Sequence, residues 1–119
     1  MLQDDVAEIM EKVKNAETVV FATPIYYYEM SGQLKTLLDR LNPLYPTEYA
    51  FRDIYMIATA AEAEESVFEK ACNGLQGWVD CFARAELKGI VTGGGISDAN
   101  DAANHADAMK KAYELGLGL

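Results

Sequence analysis

Three consecutive tyrosines, Tyr26, Tyr27 and Tyr28, are the residues of this chain best suited to contact a flat ligand. They follow Thr23-Pro24-Ile25 at the end of an uncharged, β-branched run, which predicts a strand covered on both faces. Three adjacent aromatic side chains on an extended loop cannot all face one core. At least one should therefore face solvent, a partner or a ligand, and the alternative is a loop packed into the protein or a subunit interface.

A glycine-rich segment after a later strand is a second candidate binding loop. Gly93 and Gly95 fit the first two positions of the dinucleotide pattern G-x-G-x-x-G, but Asp98 occupies the third. An aspartate at the N-terminus of a helix would repel a pyrophosphate there. The pattern therefore favours a simple turn followed by Asp98 as a helix N-cap.

The histidine and the two cysteines form no pattern typical of a catalytic or metal site. His105 should lie within a helix, partly exposed, without a nucleophile or acid at a matching spacing. Cys72 and Cys81 fall on opposite faces of one predicted helix, about 13 Å apart along its axis, too far for a disulfide. Two thiols are also too few for a structural zinc site. We predict two partly buried free cysteines in a reducing cytoplasm, no metal and no catalytic side chain.

Hydrophobic periodicity places these residues on a predicted α/β framework. Largely apolar runs predict strands over about 18–22, 53–60 and 87–92, and Pro24 should end the first because it cannot donate to a sheet ladder. Apolar residues at helical spacing predict helices over about 4–15, 31–41, from the acidic start at Glu62 to about Phe82, and 98–115. Ser31 is the predicted N-cap of the second helix.

Strands that alternate with helices imply a doubly wound parallel sheet with right-handed crossovers and helices on both faces. In such a sheet, ligands bind outside the carboxyl ends of the strands, where the tyrosine loop would lie. The loop from Thr59 to Glu62 would lie at the same end.

Charge and hydropathy argue against several kinds of partner. The net charge of −9 disfavours binding to nucleic acid or to an anionic membrane surface. No apolar run approaches the ~18 residues of a transmembrane helix, and the acidic N-terminus is unlike a signal peptide.

The segment Ala22–Lys35, together with Leu38-Asp39-Arg40, resembles the flavin-contacting loop of the NAD(P)H-dependent FMN reductase family, in particular its iron–sulfur-flavoprotein branch. The resemblance implies a flavodoxin-like fold, FMN as cofactor, NAD(P)H as co-substrate, and transfer of hydride or electrons to a small-molecule acceptor. It also implies that the glycine loop lies near the cofactor's edge. The flavin-side residues that it implies are Thr23, Pro24, Ile25, Tyr26, Tyr27, Tyr28 and Met30. A lack of catalytic side chains fits chemistry that the cofactor carries out itself.

Members of this family begin with a strand, a Ser-rich phosphate loop and a second strand, and we find none of the three here. We therefore interpret 1–119 as one partial domain, the C-terminal portion of a flavodoxin-like sheet truncated to three strands. Thr18–Ala22 would then be an edge strand without a charge, proline or bulge to prevent mispairing. This predicts a homodimer or higher oligomer, unless the first helix or the Pro43–Phe51 loop covers the edge.

A missing phosphate loop also bears on the cofactor. The phosphate of FMN needs backbone N–H groups or cations, so we expect this chain to retain FMN poorly. The alternative to an enzyme is a non-catalytic fragment that oligomerises and binds flavin weakly or not at all.

Overall fold

A mixed sheet forms the centre of the protein. The computed structural model describes residues 3–119. Its strands are β1 (Thr18–Tyr26), β2 (Glu29–Met30), β3 (Asp53–Thr59) and β4 (Glu86–Gly93). They lie in the order β2-β1-β3-β4; β1, β3 and β4 are parallel, and β2 is antiparallel to β1.

Helices flank this sheet on both faces. They are α1 (Val6–Asn15), α2 (Gly32–Arg40), α3 (Glu69–Asp80), α4 (Ala99–Asn104) and α5 (Ala106–Leu117). Short 3₁₀ turns occupy Asn42–Leu44 and Glu65–Phe68. None of the helices within residues 3–119 is long and apolar enough to cross a membrane.

The three predicted strands are present and parallel, but the prediction of only three strands is wrong. The first strand does not end at Pro24; it continues to Tyr26 and turns back into β2. Pro24 is tolerated because it is paired with Thr59 of β3, whereas β2 begins to pair with β1 only at Ile25. Its missing N–H therefore interrupts no ladder on the other side.

The main core lies between one face of the sheet and helices α2 and α3. Alternate residues of β1 and β3 point into it, and so do the apolar stripes of both helices. Its largest fully buried side chains are Phe51, Phe68, Leu41, Leu44, Ile54, Met56, Leu75 and Val79. Tyr49 and Phe51 stack with ring centroids 4.4 Å apart, where the chain enters β3.

The opposite face of the sheet is covered unevenly. Helix α5 packs on β4, where Leu115 and the ring of Tyr55 on β3 both lie beside Gly89. Beyond it, alternate side chains of β1, beginning with Val20 and Ala22, stay exposed on this face. The predicted burial of β1 on both faces is therefore wrong, because no described helix covers its second face.

The last predicted helix, over 98–115, is two helices in the structure. The backbone breaks at His105, whose Nδ1 accepts a hydrogen bond from the N–H of Ala108 at 3.1 Å and so caps α5. His105 therefore has a structural role at a helix start rather than a position within a helix.

Candidate functional site

A cleft of about 660 Å³ opens at the carboxyl ends of β1, β3 and β4. Three loops form its walls: the tyrosine loop, the loop after β3 and the loop after β4. Sheet topology predicted the first two at this end, and the family resemblance implied the third. The residues that line it are Pro24, Ile25, Tyr26, Tyr27, Tyr28, Thr59, Ala60, Ala61, Glu62, Val67, Ile96, Ser97, Asp98, Ala99 and Ala102. Its size falls within the range typical of small-molecule sites.

One wall of the cleft is a tight hairpin made of the tyrosines. Tyr26 pairs with Glu29, which leaves Tyr27 and Tyr28 as a two-residue turn. Both have positive φ, 51° and 68°, as a type I′ hairpin turn requires. Asparagine and glycine normally occupy these positions, because a bulkier residue there is strained. Two adjacent tyrosines in this conformation mark a functional candidate.

The exposure of these tyrosines differs. Tyr27 is 98% exposed at the tip of the turn, and Tyr26 and Tyr28 are about half exposed. The Lys70 ammonium lies 5.5 Å from the centre of the Tyr28 ring, a cation–π geometry that orients this ring. The hairpin therefore presents aromatic surface to the solvent side of the cleft.

The base of the hairpin is held by buried hydrogen bonds. The Thr23 hydroxyl accepts a bond from the Ser31 N–H at 2.9 Å and donates to the Pro24 carbonyl at 2.7 Å. Ser31 in turn caps α2, since its Oγ accepts a bond from the N–H of Leu34 at 3.2 Å. The predicted N-cap is thus confirmed, and it ties the hairpin to the helix that follows.

The structure separates the predicted flavin-side residues into two groups. Pro24, Ile25 and the three tyrosines line the cleft. Thr23 and Met30 are buried and do not line it. Met30 instead packs against Gly74 of α3, underneath the hairpin. These two residues therefore support the cleft wall and do not form its surface.

The other walls come from the loops after β3 and β4, which are joined by backbone hydrogen bonds. The Ile96 N–H donates to the Ala60 backbone carbonyl at 2.8 Å, and the Gly95 N–H donates to the Glu62 backbone carbonyl at 2.9 Å. Gly94 passes so close to the backbone of Glu62 and Ala63 that a Cβ there would come within 3 Å of it. A side chain at position 94 would therefore push the two loops apart.

Asp98 ends this wall as the N-cap of α4. Its Oδ1 accepts a bond from the N–H of Asp101 at 2.9 Å, and the Asp101 carboxylate accepts one from the Asp98 N–H at 3.3 Å. This reciprocal capping box confirms the turn-and-cap interpretation. The sequence did not predict Ile96, Val67 and Ala102 as lining residues. For Ile96 there was a signal, since it is an apolar residue between a glycine turn and a helix cap.

The charges in the cleft are acidic. Glu62 and Asp98 line it, and no Lys or Arg is among its lining residues. A phosphate group bound within these walls would therefore meet two carboxylates and no cation, which opposes binding of a dianion. The cleft suits a neutral aromatic ring better than a phosphate.

Neither of the two cysteines lines the cleft. Cys72 and Cys81 are free thiols; Cys72 is half-buried, whereas Cys81 is exposed rather than partly buried as predicted. Burial, followed by the nearby Glu65 carboxylate, raises the pKa of the Cys72 thiol. Within the described chain, no three His, Cys, Asp or Glu side chains converge as metal ligands.

Comparison with known proteins identifies the family of this chain. Residues 1–81 match the family described as NADPH-dependent FMN reductase. The chain belongs to this family. The match begins at residue 1, so it lends no support to the expectation that only a C-terminal portion is present, which stays a prediction.

Individual relatives differ in their identity to this chain and in the share of it that they match. An iron–sulfur flavoprotein of Methanocaldococcus jannaschii is 46% identical over 41 residues, which are 34% of this chain and 21% of that protein. The Trp repressor binding protein of Bacillus subtilis has a TM-score of 0.75 at 24% identity, over 91% of this chain and 73% of that one. General stress protein 14 of Treponema denticola, solved in complex with FMN, has a TM-score of 0.65 at 17% identity, over 97% and 74% of the two chains.

These likenesses confirm the flavodoxin-like α/β fold and the resemblance to FMN reductases. The chain spans only about a fifth to two fifths of the length of the curated relatives that it matches.

Proposed function

We propose that this chain provides the flavin-ring site of an FMN-dependent NAD(P)H oxidoreductase that passes hydride or electrons to a small acceptor. The observation that carries the proposal is the cleft at the carboxyl ends of the three parallel strands, with the tyrosine hairpin as one wall. Membership of the FMN reductase family supports it.

The lining residues fit the isoalloxazine ring of FMN. Ile25, Val67 and Ile96 supply apolar surface, and the tyrosine rings supply flat aromatic surface. The same residues do not fit the FMN phosphate, because the charged side chains among them are Glu62 and Asp98. We infer that the cleft holds the ring and that the phosphate is bound outside it.

Each part of the chain has a defined task in this proposal. FMN held in the cleft would supply the redox chemistry. Tyr26, Tyr27 and Tyr28 hold the ring and exclude water from one side. Thr23 and Met30, buried beneath them, act as positioning residues. The loops after β3 and β4 are tied to each other and form a rigid opposite wall.

A non-catalytic role is the second candidate, and the acidic lining of the cleft favours it. A site with carboxylates and no cation would bind FMN weakly. The chain would then be a flavodoxin-like module that binds a flavin ring without turning over NAD(P)H.

Titration with two flavins tests the ring site. Riboflavin has the ring without the phosphate, so we expect it to bind within a few-fold of FMN when flavin fluorescence is followed. Ala61→Trp, which fills the cleft, should weaken both by tenfold or more. Ala103→Trp is the matched control, since Ala103 is exposed outside the cleft. If neither flavin binds at about 100 μM, or if Ala61→Trp has no effect, the ring site is wrong.

Turnover then separates the two candidate functions. We expect NADPH or NADH oxidation, with FMN and a quinone as acceptor, to be lost in Ala61→Trp and kept in Ala103→Trp. Flavin binding without any turnover of either nucleotide would instead favour the non-catalytic module.

A further inference from the structure

We propose that Lys70 is a positioning residue of the flavin-ring site, which holds the ring of Tyr28 by one face and brings a positive charge to the ligand. This charge favours the reduced form of the flavin ring relative to the oxidised form. Lys70 does not line the cleft, and its role rests on the ring site proposed above.

The contact between Lys70 and Tyr28 brings a cation to the wall of an acidic cleft. Tyr28 lines the cleft, and the Lys70 ammonium lies over its ring, 5.5 Å from the centroid. Of the ion pairs and cation–π contacts within residues 3–119, this one alone involves a lining residue. Glu62 and Asp98 give the other walls negative charge.

Lys70 differs from lysines that the fold uses in ion pairs. Lys12 and Lys35 each pair with a carboxylate one helical turn away, at 2.8 and 2.6 Å. In the part of the chain that the structure describes, Lys70 forms no ion pair, although Glu69 precedes it. Its ammonium faces the Tyr28 ring instead, so no carboxylate partner neutralises its charge beside the cleft.

Packing of α3 against the hairpin fixes the place from which Lys70 reaches the ring. Ala71 and Leu75, which follow it along α3, are fully buried, and this sets the rotation of the helix about its axis. Met30 of the hairpin packs on Gly74, one turn after Lys70, where an added Cβ would lie 3.3 Å from the Met30 side chain. The lysine and the tyrosine hairpin therefore belong to two elements in direct contact.

Stability of the fold does not account for this pair. Tyr28 has a φ of 68°, which is a strained conformation for tyrosine. Tyr28 is also 54% exposed, and a cation–π contact at an exposed site contributes less free energy than such strain costs. A planar ligand stacked on the other face of the ring would add the contact that the chain alone lacks.

The charge of a flavin ring changes when it is reduced, and a nearby cation responds to that change. The oxidised ring is neutral, and addition of one hydride leaves it with one negative charge. A ring stacked on the free face of Tyr28 would lie about one Debye length from Lys70 at ~0.1 M salt, so the charge is only partly screened. Lys70 should therefore offset part of the repulsion between the reduced ring and the acidic walls.

Equilibrium dialysis under nitrogen with oxidised and with dithionite-reduced riboflavin tests this role, at a mildly alkaline pH where the reduced ring is an anion. Lys70 is exposed, so its substitution leaves the core intact. Lys70→Met, which removes the charge, should weaken binding of reduced riboflavin about threefold more than binding of oxidised riboflavin. Lys70→Arg keeps a cation over the ring and should keep the wild-type ratio of the two dissociation constants.

Three controls separate this contact from the overall charge of the chain. Lys12→Met removes the same charge from an exposed position of α1, which does not line the cleft, and should leave the ratio unchanged. In a Tyr28→Ala chain the lysine has no ring to hold, so Lys70→Met should no longer change the ratio. At about 1 M salt, where the Debye length falls to about 3 Å, the difference between Lys70→Met and the wild type should disappear.

Failure of this role is distinguishable from failure of the ring site. A wild-type chain that binds neither form of riboflavin overturns the ring site, and the role of Lys70 with it. Binding with the same ratio in Lys70→Met and the wild type overturns the role of Lys70 alone. An equal change in Lys12→Met or Lys70→Arg does the same, and so does a change that persists in the Tyr28→Ala chain or at high salt.

Discussion

The hydroxyl of Thr23 on β1 accepts a hydrogen bond from the backbone N–H of Ser31, at 2.9 Å, across the base of the tyrosine hairpin. Because Ser31 also caps α2, this one bond connects the strand, the hairpin and the helix that follows. The two ends of the hairpin are thereby held together below the cleft. The orientation of the cleft wall depends on a polar contact that is itself buried.

Thr23→Val should destabilise the fold and loosen the hairpin. The substitution keeps the shape of the side chain but leaves the buried Ser31 N–H without an acceptor, at a cost of about 1–3 kcal/mol. Urea denaturation measures the loss in free energy of unfolding. Thr23→Ser, which keeps the hydroxyl, is the control and should recover most of it. Equal stability of the valine and serine variants would show that the bond contributes nothing.

Tyr27→Gly should stabilise the hairpin. Tyr27 is 98% exposed, so few contacts are lost, while its positive φ of 51° is unstrained for glycine. We expect a gain of up to about 1 kcal/mol in the free energy of unfolding, reduced by the greater freedom of glycine in the unfolded chain. Tyr27→Ala removes the ring but keeps the Cβ, so it should show no such gain. A glycine variant no more stable than the alanine variant would argue against strain at this turn.

The same substitution should weaken flavin binding if the ring of Tyr27 contacts the ligand. A more stable protein with poorer riboflavin affinity would show that the strained tyrosine serves the site and not the fold. Unchanged affinity in Tyr27→Gly would instead remove Tyr27 from the proposed contacts.

Thiol labelling should distinguish the two cysteines. Cys81 is exposed, whereas Cys72 is half-buried and its pKa is raised, first by burial and then by Glu65. The thiolate is the reactive form, so Cys81 should react with iodoacetamide well before Cys72 at pH 8. Mass spectrometry of labelled peptides measures the order, with Cys81→Ser as the control. Faster reaction at Cys72 would contradict this account.

The raised pKa of Cys72 also sets the direction of a pH effect. Between the ordinary thiol pKa and the higher pKa of the folded state, the unfolded chain has lost the Cys72 proton while the folded chain still holds it. The protonated Cys72 thiol therefore contributes fully to the free energy of unfolding below the ordinary thiol pKa of about 8.5. This contribution is lost as the pH rises through the pKa of Cys72 in the folded state. Urea denaturation at increasing alkaline pH measures the decline in the free energy of unfolding. Cys72→Ala should make this decline smaller, and an equal decline in the variant and the wild type would contradict the prediction.

Purified protein should be largely colourless and should lose added FMN on dialysis. The cleft lining holds Glu62 and Asp98 and no cation, so the phosphate gains no compensating contact there. Absorbance near the flavin maximum after gel filtration measures retention. Stoichiometric yellow protein would mean that another segment or subunit provides a phosphate site, and the enzyme proposal would then gain support.

The sequence alone determined the framework on which the site is built. The largely apolar runs predicted parallel strands, and Ser31 and Asp98 were correctly predicted as helix caps. These features are local, because strand burial, helical spacing and capping depend on residues within a few positions of one another. The aromatic loop at the carboxyl end of β1 followed from the same local pattern and the topology of a parallel sheet.

Only the tertiary structure decided how far β1 runs and what its end becomes. Proline cannot donate a hydrogen bond to a neighbouring strand, so it ends a strand only where a neighbour needs that bond. At Pro24 the structure has β3 on one side, and β2 pairs with β1 only from Ile25. These neighbours cannot be deduced from the residues around Pro24. The turn at Tyr27 and Tyr28 likewise depends on β2 pairing back onto β1, which forces a positive φ on residues that disfavour it. The exposed face and edge of β1 arise in the same way, since they depend on what packs beside the strand and not on its own residues.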